Sequence, residues 1–321
     1  MRRMKSSSTI DSGSHGTCVL RASTNGTSND AAADRGSATP CRADDYVHLR
    51  PLRTSGTRPP LICVFPGSPG ARDMAKSLPE DQPVYEFYWP NIDGQTNFPT
   101  VEELAVTFIR DVKKLQAHGP YQLCGYSQGG LVAYEMARLL LSQGEDVSFV
   151  AAFDTWHPKF LQNLKFRELA KYRMTRIVER LQKYGWALIQ GRFDDFGAFA
   201  REFIETKVRL VGWRAARFSF RMANRPVPKA MQSAAAFVSL QNYSPKPLTA
   251  RLVLVRAEKW REKILKDKAA GWHTCAKGGV DVHFVSAPHG AMVHEPYVHG
   301  LVERIAPYLA REWTPIDREG A

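Results

Sequence analysis

No run of apolar residues in this chain approaches the ~18 that a membrane-spanning helix needs. The basic start, Met1 to Lys5, leads into serines and not into an apolar signal core. Cysteine is scarce. Cys18, Cys41, Cys63, Cys124 and Cys275 include no C-x-x-C pair, which argues against both a disulfide framework and a zinc cluster, so no metal is expected. A reducing, cytoplasmic compartment follows as the default. Residues 1–45 lack Phe, Trp and Tyr altogether and are rich in Ser, Thr, Gly, Ala and Asp. Such a segment cannot bury enough surface to offset the entropy of ordering, so a disordered N-terminal tail is expected there. No internal repeat is present, which removes solenoids and propellers.

What the sequence does contain is enough apolar material, 44% of 321 residues, for a sizeable core. The net charge of +12 raises the question of nucleic acid, but residues 158–240 alone hold 17 Lys and Arg against 6 Asp and Glu. The basicity therefore belongs to one segment. Before that segment, the apolar run Arg58-Pro-Pro-Leu-Ile-Cys-Val-Phe-Pro66 reads as a buried strand entering a loop, Gly67-Ser-Pro-Gly70. Further strands are predicted at 83–89, 121–127 and 147–153, and beyond the segment at 250–255 and 280–285. Thr100-Val-Glu-Glu103 is a capping box opening a helix, 129–144 reads as a helix closed by glycine, and 296–313 as a closing amphipathic helix. Strands alternating with helices predict an α/β fold, a mostly parallel sheet with helices on both faces.

Gly125-Tyr-Ser-Gln-Gly129 is a G-x-S-x-G motif placed between a predicted strand and a predicted helix. A sharp strand-to-helix turn there would present the Ser127 hydroxyl above the sheet, with glycines where side chains would collide. A glycine-rich turn with an incidental serine is the competing reading. Serine becomes a nucleophile at neutral pH only beside a base, and the base needs an acid to orient it. His289, in Pro288-His-Gly290 after the last predicted strand, is the candidate base, and His294, one turn later, is the alternative. His283 lies inside a strand and His157 beside the start of the basic segment, so both are weaker choices. Asp154 ends the strand after the nucleophile helix and is the candidate acid; Glu258, following the next strand, is the alternative. Oxyanion donors are expected from the backbone N–H of Gln128 and from Gly67 or Ser68, because Pro69 has no N–H.

These blocks, together with Phe153-Asp-Thr-Trp-His-Pro158, His118-Gly-Pro-Tyr121 and Glu295-Pro296, resemble the thioesterase domains of non-ribosomal peptide and polyketide synthases, within the α/β-hydrolase superfamily. The resemblance implies an α/β-hydrolase domain over 46–316, with 158–240 as a helical lid inserted after the aspartate's strand. It also implies a Ser127–Asp154–His289 triad releasing or editing acyl chains through an acyl-enzyme. No resident cofactor is implied, since phosphopantetheine arrives on the substrate protein. The implied partner is an acyl or peptidyl carrier protein. Such carriers are typically acidic, so the basic face of the lid would steer them while its apolar face lines an acyl channel. A solvated charged face is the plainer reading of those helices. Nucleic acid and an anionic membrane are not favoured, since a hydrolytic triad gives no reason for a polynucleotide and no base-reading motif is present. A carboxylesterase or acyl-protein esterase, and a catalytically silent carrier-docking protein, remain the alternatives.

Overall fold

In a computed structural model, structure is described for residues 48–89, 93, 95–189, 193–258 and 265–310. The expected tail over 1–45 and the last residues of the expected domain, 311–316, lie outside these. Seven strands form one sheet: β1 (Leu49–Arg53), β2 (Leu61–Val64), β3 (Val84–Phe87), β4 (Tyr121–Tyr126), β5 (Val147–Phe153), β6 (Leu252–Ala257) and β7 (Val280–Val285). Their order is β1-β3-β2-β4-β5-β6-β7. Only the β1–β3 pair is antiparallel. Around the sheet lie α1 (Gly70–Ser77), α2 (Val101–Leu115), α3 (Gly129–Ser142) and α7 (Val298–Leu309).

The two faces of the sheet can be read from the alternation of its residues. Ile62, Val64, Leu123, Val150 and Leu254 bury on the side of α2 and α3, whereas Leu61, Cys63, Cys124, Ala151 and Val253 bury on the side of α1 and α7. Both faces are apolar because both are covered, which is why these strands read as continuous apolar runs. Helix α2 begins at the capping box: the Glu103 N–H donates to Thr100 Oγ1 at 3.2 Å, and the Thr100 N–H donates to Glu103 Oε2 at 2.8 Å. Its Leu104, Phe108 and Val112 are fully buried, each contributing about 1.5–3 kcal/mol of apolar burial.

Strand β1 was not expected. Its sequence, Leu-Arg-Pro-Leu-Arg, carries a proline and two arginines, which the sheet tolerates because the strand lies at the edge and its register shifts between Pro51 and Arg53. Between β5 and β6 the expected helical segment forms α4 (Phe166–Ile189), α5 (Phe193–Met222) and α6 (Gln232–Gln241), with residues 158–165 making turns and not helix. Trp213 of α5 and Ala235, Val238 and Leu240 of α6 join the core.

A buried charge cluster holds the end of this insert to the sheet. Glu135 on α3 accepts from Arg138 at 2.8 and 2.7 Å and from the Tyr243 hydroxyl at 2.7 Å. Arg138 and Tyr243 thereby satisfy a carboxylate that is 2% exposed. Burial, with Glu135 second, drives the Tyr243 phenol far above its ordinary pKa, so it stays a donor. Tyr243→Phe is expected to lower the unfolding free energy by about 2 kcal/mol, the worth of a hydrogen bond to a charged group. Urea titration measures this, and a change below about 0.5 kcal/mol would show that the contact does not tie the insert down.

Candidate active site

The turn from β4 into α3 holds Ser127 at φ 54°, a conformation that L side chains seldom adopt. Hydrogen bonds from three directions impose it. The Ser127 N–H donates to the Phe153 carbonyl at 2.8 Å, while the Ser127 carbonyl accepts from the Gly130 N–H at 3.2 Å and from Thr155 Oγ1 at 2.7 Å. The glycines follow from close approach. A Cβ on Gly125 would collide with the Gly129 carbonyl, and one on Gly129 would collide with the Val64 carbonyl of β2. The turn is thus packed too closely for any side chain other than those of Tyr126, Ser127 and Gln128.

Asp154 follows β5 directly, also at positive φ, 45°. Its N–H donates to the Val255 carbonyl at 2.7 Å, and its Oδ1 accepts from the Ala257 N–H at 3.4 Å. Its side chain is 4% exposed, and Oδ2 lies 2.6 Å from His289 Nδ1. A carboxylate only accepts, so Nδ1 carries the proton and Nε2 is left as an acceptor. Glu258, the alternative acid, is exposed at the end of β6, and its N–H donates to the Val285 carbonyl. Of the two carboxylates, Asp154 is the one hydrogen-bonded to His289.

The other histidines lie elsewhere. His283 Nε2 pairs with the Tyr308 hydroxyl at 2.8 Å. His294, the alternative base, is directed to Ser68 and Asp73. His157 accepts from the Lys159 N–H at 3.2 Å, and burial, with the Lys159 charge second, lowers its pKa and favours the neutral ring. Gln128 stands at the N-terminus of α3, where amide N–H groups point outward. Of the two remaining oxyanion candidates, Ser68 directs its N–H to the Phe65 carbonyl at 3.4 Å, whereas the Gly67 N–H has no such partner among the described residues.

Ser127, Asp154 and His289 line one cavity of about 390 Å³, a size suited to a small organic chain. Tyr172 from α4 and Phe237 from α6 line it too, together with Trp156. The helical segment therefore supplies apolar wall to the site. On α5, Trp213 is buried, whereas Ile204, Val208, Val211, Phe218 and Met222 are 60–72% exposed.

Two neighbours of the site escaped the sequence reading. Thr155 braces the Ser127 carbonyl, and Tyr126, inside the motif, donates its hydroxyl to the His289 carbonyl and stacks on the imidazole with ring centroids 5.1 Å apart. Tyr126 precedes the serine directly, and its position in the motif was the only available signal. Which loop its ring meets is a tertiary fact.

Against known proteins, residues 60–308 match a family profile described as Thioesterase domain. A segment of 116 residues, 35% of this chain, is 40% identical to malpibaldin synthetase of Mortierella alpina and covers 2% of it. The chain therefore spans only a small part of that relative. Two solved structures are similar in fold. A four-domain nonribosomal peptide synthetase bound to AMP and glycine matches with a TM-score of 0.55 and 20% identity, covering 82% of this chain and 20% of that one. The NocB thioesterase domain from the nocardicin cluster matches with a TM-score of 0.52 and 19% identity, covering 82% and 99%.

Burial, with the Asp154 charge second, pushes the Tyr126 phenol from 10.0 up to about 12. The folded chain then keeps this proton over a range where the unfolded chain has lost it. The contribution to stability is complete below the ordinary phenol pKa and lost as pH rises through the folded value. Tyr126→Phe is accordingly expected to flatten the fall in unfolding free energy between pH 10 and 12, as read by urea titrations across that range. Parallel curves for the two proteins would contradict the assignment.

Proposed function

The chain belongs to the thioesterase domain family, and from that premise we propose that it is a serine thioesterase acting on acyl chains borne by a phosphopantetheinyl carrier protein. The observation that carries this reading is the 2.6 Å hydrogen bond between Asp154 and His289, in the same cavity as a serine held at positive φ. Asp154 keeps the His289 proton on Nδ1, so Nε2 can accept the proton of Ser127 Oγ. Oγ attacks the thioester carbonyl carbon, and the carbonyl oxygen becomes an oxyanion. The N–H groups of Gln128 and Gly67 receive that charge, helped by the N-terminal end of α3.

Collapse of the tetrahedral intermediate breaks the carbon–sulfur bond. The departing pantetheine thiolate takes the proton from His289, and the acyl group stays on Ser127 as an ester. A thiol has a pKa of about 8.5 and leaves readily as thiolate, so the site's main tasks are orientation and oxyanion stabilisation. Water, or a hydroxyl or amine of the acyl chain itself, then attacks the ester with His289 again as base. This amounts to product release or editing in peptide, polyketide or fatty-acid biosynthesis. Phosphopantetheine comes and goes with the substrate and is not a resident group.

The basic character of the insert supports the choice of partner. Lys171, Arg173, Lys207, Arg209, Arg214, Arg217 and Arg221 are exposed along α4 and α5, a field that would steer an acidic carrier and its phosphodiester toward the cavity. Under this reading α4 to α6 act as the lid, and the setting is the cytoplasm, where Cys63, Cys124 and Cys275 remain free thiols.

Octanoyl-pantetheine hydrolysis tests the roles. Ser127→Ala should lower kcat by about 10⁴-fold or more, and Asp154→Asn by about 10⁴-fold, because the amide favours the wrong histidine tautomer. Glu258→Gln should stay within about twofold, as surface changes usually do. A Glu258→Gln loss exceeding that of Asp154→Asn would reassign the acid, and full activity in Ser127→Ala would end the mechanism. Octanoyl oxygen esters hydrolysed faster than the matched thioester would favour a carboxylesterase.

A further inference from the structure

The loop that carries the oxyanion donor, residues 66–70, has few ways to hold its shape. Pro66 and Pro69 have no N–H to give, and the Ser68 N–H reaches Phe65 only at 3.4 Å. Side chains take over the task. Ser68 Oγ lies 3.2 Å from His294 Nε2, and His294 Nδ1 lies 3.1 Å from Asp73 Oδ2 in the first turn of α1. The Gly70 N–H donates to Ser68 Oγ at 3.2 Å.

Chemistry assigns the direction of each bond. The Asp73 carboxylate only accepts, so His294 Nδ1 is the donor, and in that tautomer Nε2 is left as the acceptor. Ser68 then donates its O–H to Nε2 and accepts from Gly70, and every member is satisfied. The order of groups repeats that of Ser127, His289 and Asp154, but here the serine lies on the oxyanion loop. Packing closes the same joint, because a Cβ on Gly70 would collide with the Val293 side chain and lie 2.9 Å from its carbonyl oxygen. His289 and His294 stand on one continuous segment, with Met292 and Val293 between them fully buried.

We infer that Ser68, His294 and Asp73 form a positioning relay that fixes the oxyanion loop to the segment bearing the catalytic base, so that acceptor and base keep one relative geometry. The relay contacts no reacting atom. It sets where the Gly67 N–H stands when negative charge develops, an interaction made in the transition state and not in the ground state. Its loss therefore affects kcat and leaves KM alone.

The inference rests on the proposed mechanism, which is checked separately: a fluorophosphonate probe should label the wild-type protein at Ser127 and spare Ser127→Ala. If that labelling fails, the mechanism itself is at fault. With labelling established, octanoyl-pantetheine kinetics on Ser68→Ala, His294→Ala and the double variant test the relay. Each single variant should lose about 10- to 100-fold in kcat, the scale of a misplaced group near the chemistry, with KM within about twofold. The double variant should be no slower than the slower single one, since either change breaks the same chain. Thermal melts confirm folding; where an alanine variant does not fold, Asp73→Asn, which removes the charge but keeps the volume, should show the same kcat-only loss. An unchanged kcat in folded Ser68→Ala overturns the relay. So does a double variant whose loss is the product of the single losses. Abolition of activity by His294→Ala to the level of His289→Ala would make His294 a base, and that also defeats the inference.

Discussion

The site depends on two residues held in the left-handed region at the ends of adjacent strands. Ser127 at φ 54° and Asp154 at φ 45° each cost backbone strain, and neither has the glycine that would relieve it. The strain persists because β4 and β5 are locked side by side: the Ser127 N–H donates to the Phe153 carbonyl and Thr155 returns a hydroxyl to the Ser127 carbonyl. Ser127 and Asp154 are thus coupled through the backbone.

His289 is brought to this pair from a distant part of the chain. His289 comes from the segment after β7, at the far end of the sheet order from β4, and three contacts draw it back. Asp154 accepts its Nδ1–H, the Tyr126 hydroxyl donates to its carbonyl, and the Tyr126 ring stacks on the imidazole. None of these is large alone. Together they fix tautomer, ring plane and loop position, as the proposed general-base role would need. Burial of the Tyr126 phenol serves the same end, since a raised pKa keeps it a donor.

The insert between β5 and β6 serves two purposes. Its inner residues, Tyr172 and Phe237, supply cavity wall, and the Glu135–Arg138–Tyr243 cluster anchors its return to α3. Its outer side presents cations and exposed apolar residues together on α5. Such a surface is costly in isolation, and it adds little to the packing of the sheet.

Local pattern was sufficient for the strand–turn–helix around Ser127, because apolar runs and glycine spacing are properties of neighbouring residues, as is the capping box that opens α2. That β2 to β7 run parallel followed from their alternation with helices; their order in the sheet did not. Strand β1 escaped because edge position, not composition, is what permits a proline there. The position of Asp154 at the end of β5 made it the preferred carboxylate over Glu258, but that it meets His289 is a tertiary fact. His289 was preferred over His294 for its place after the last strand, but that one turns to Asp154 and the other to Asp73 is decided by packing. Which types of group the protein possesses is written locally. Which pairs of them meet depends on how distant strand ends converge at one edge of the sheet, and only the packed chain decides that.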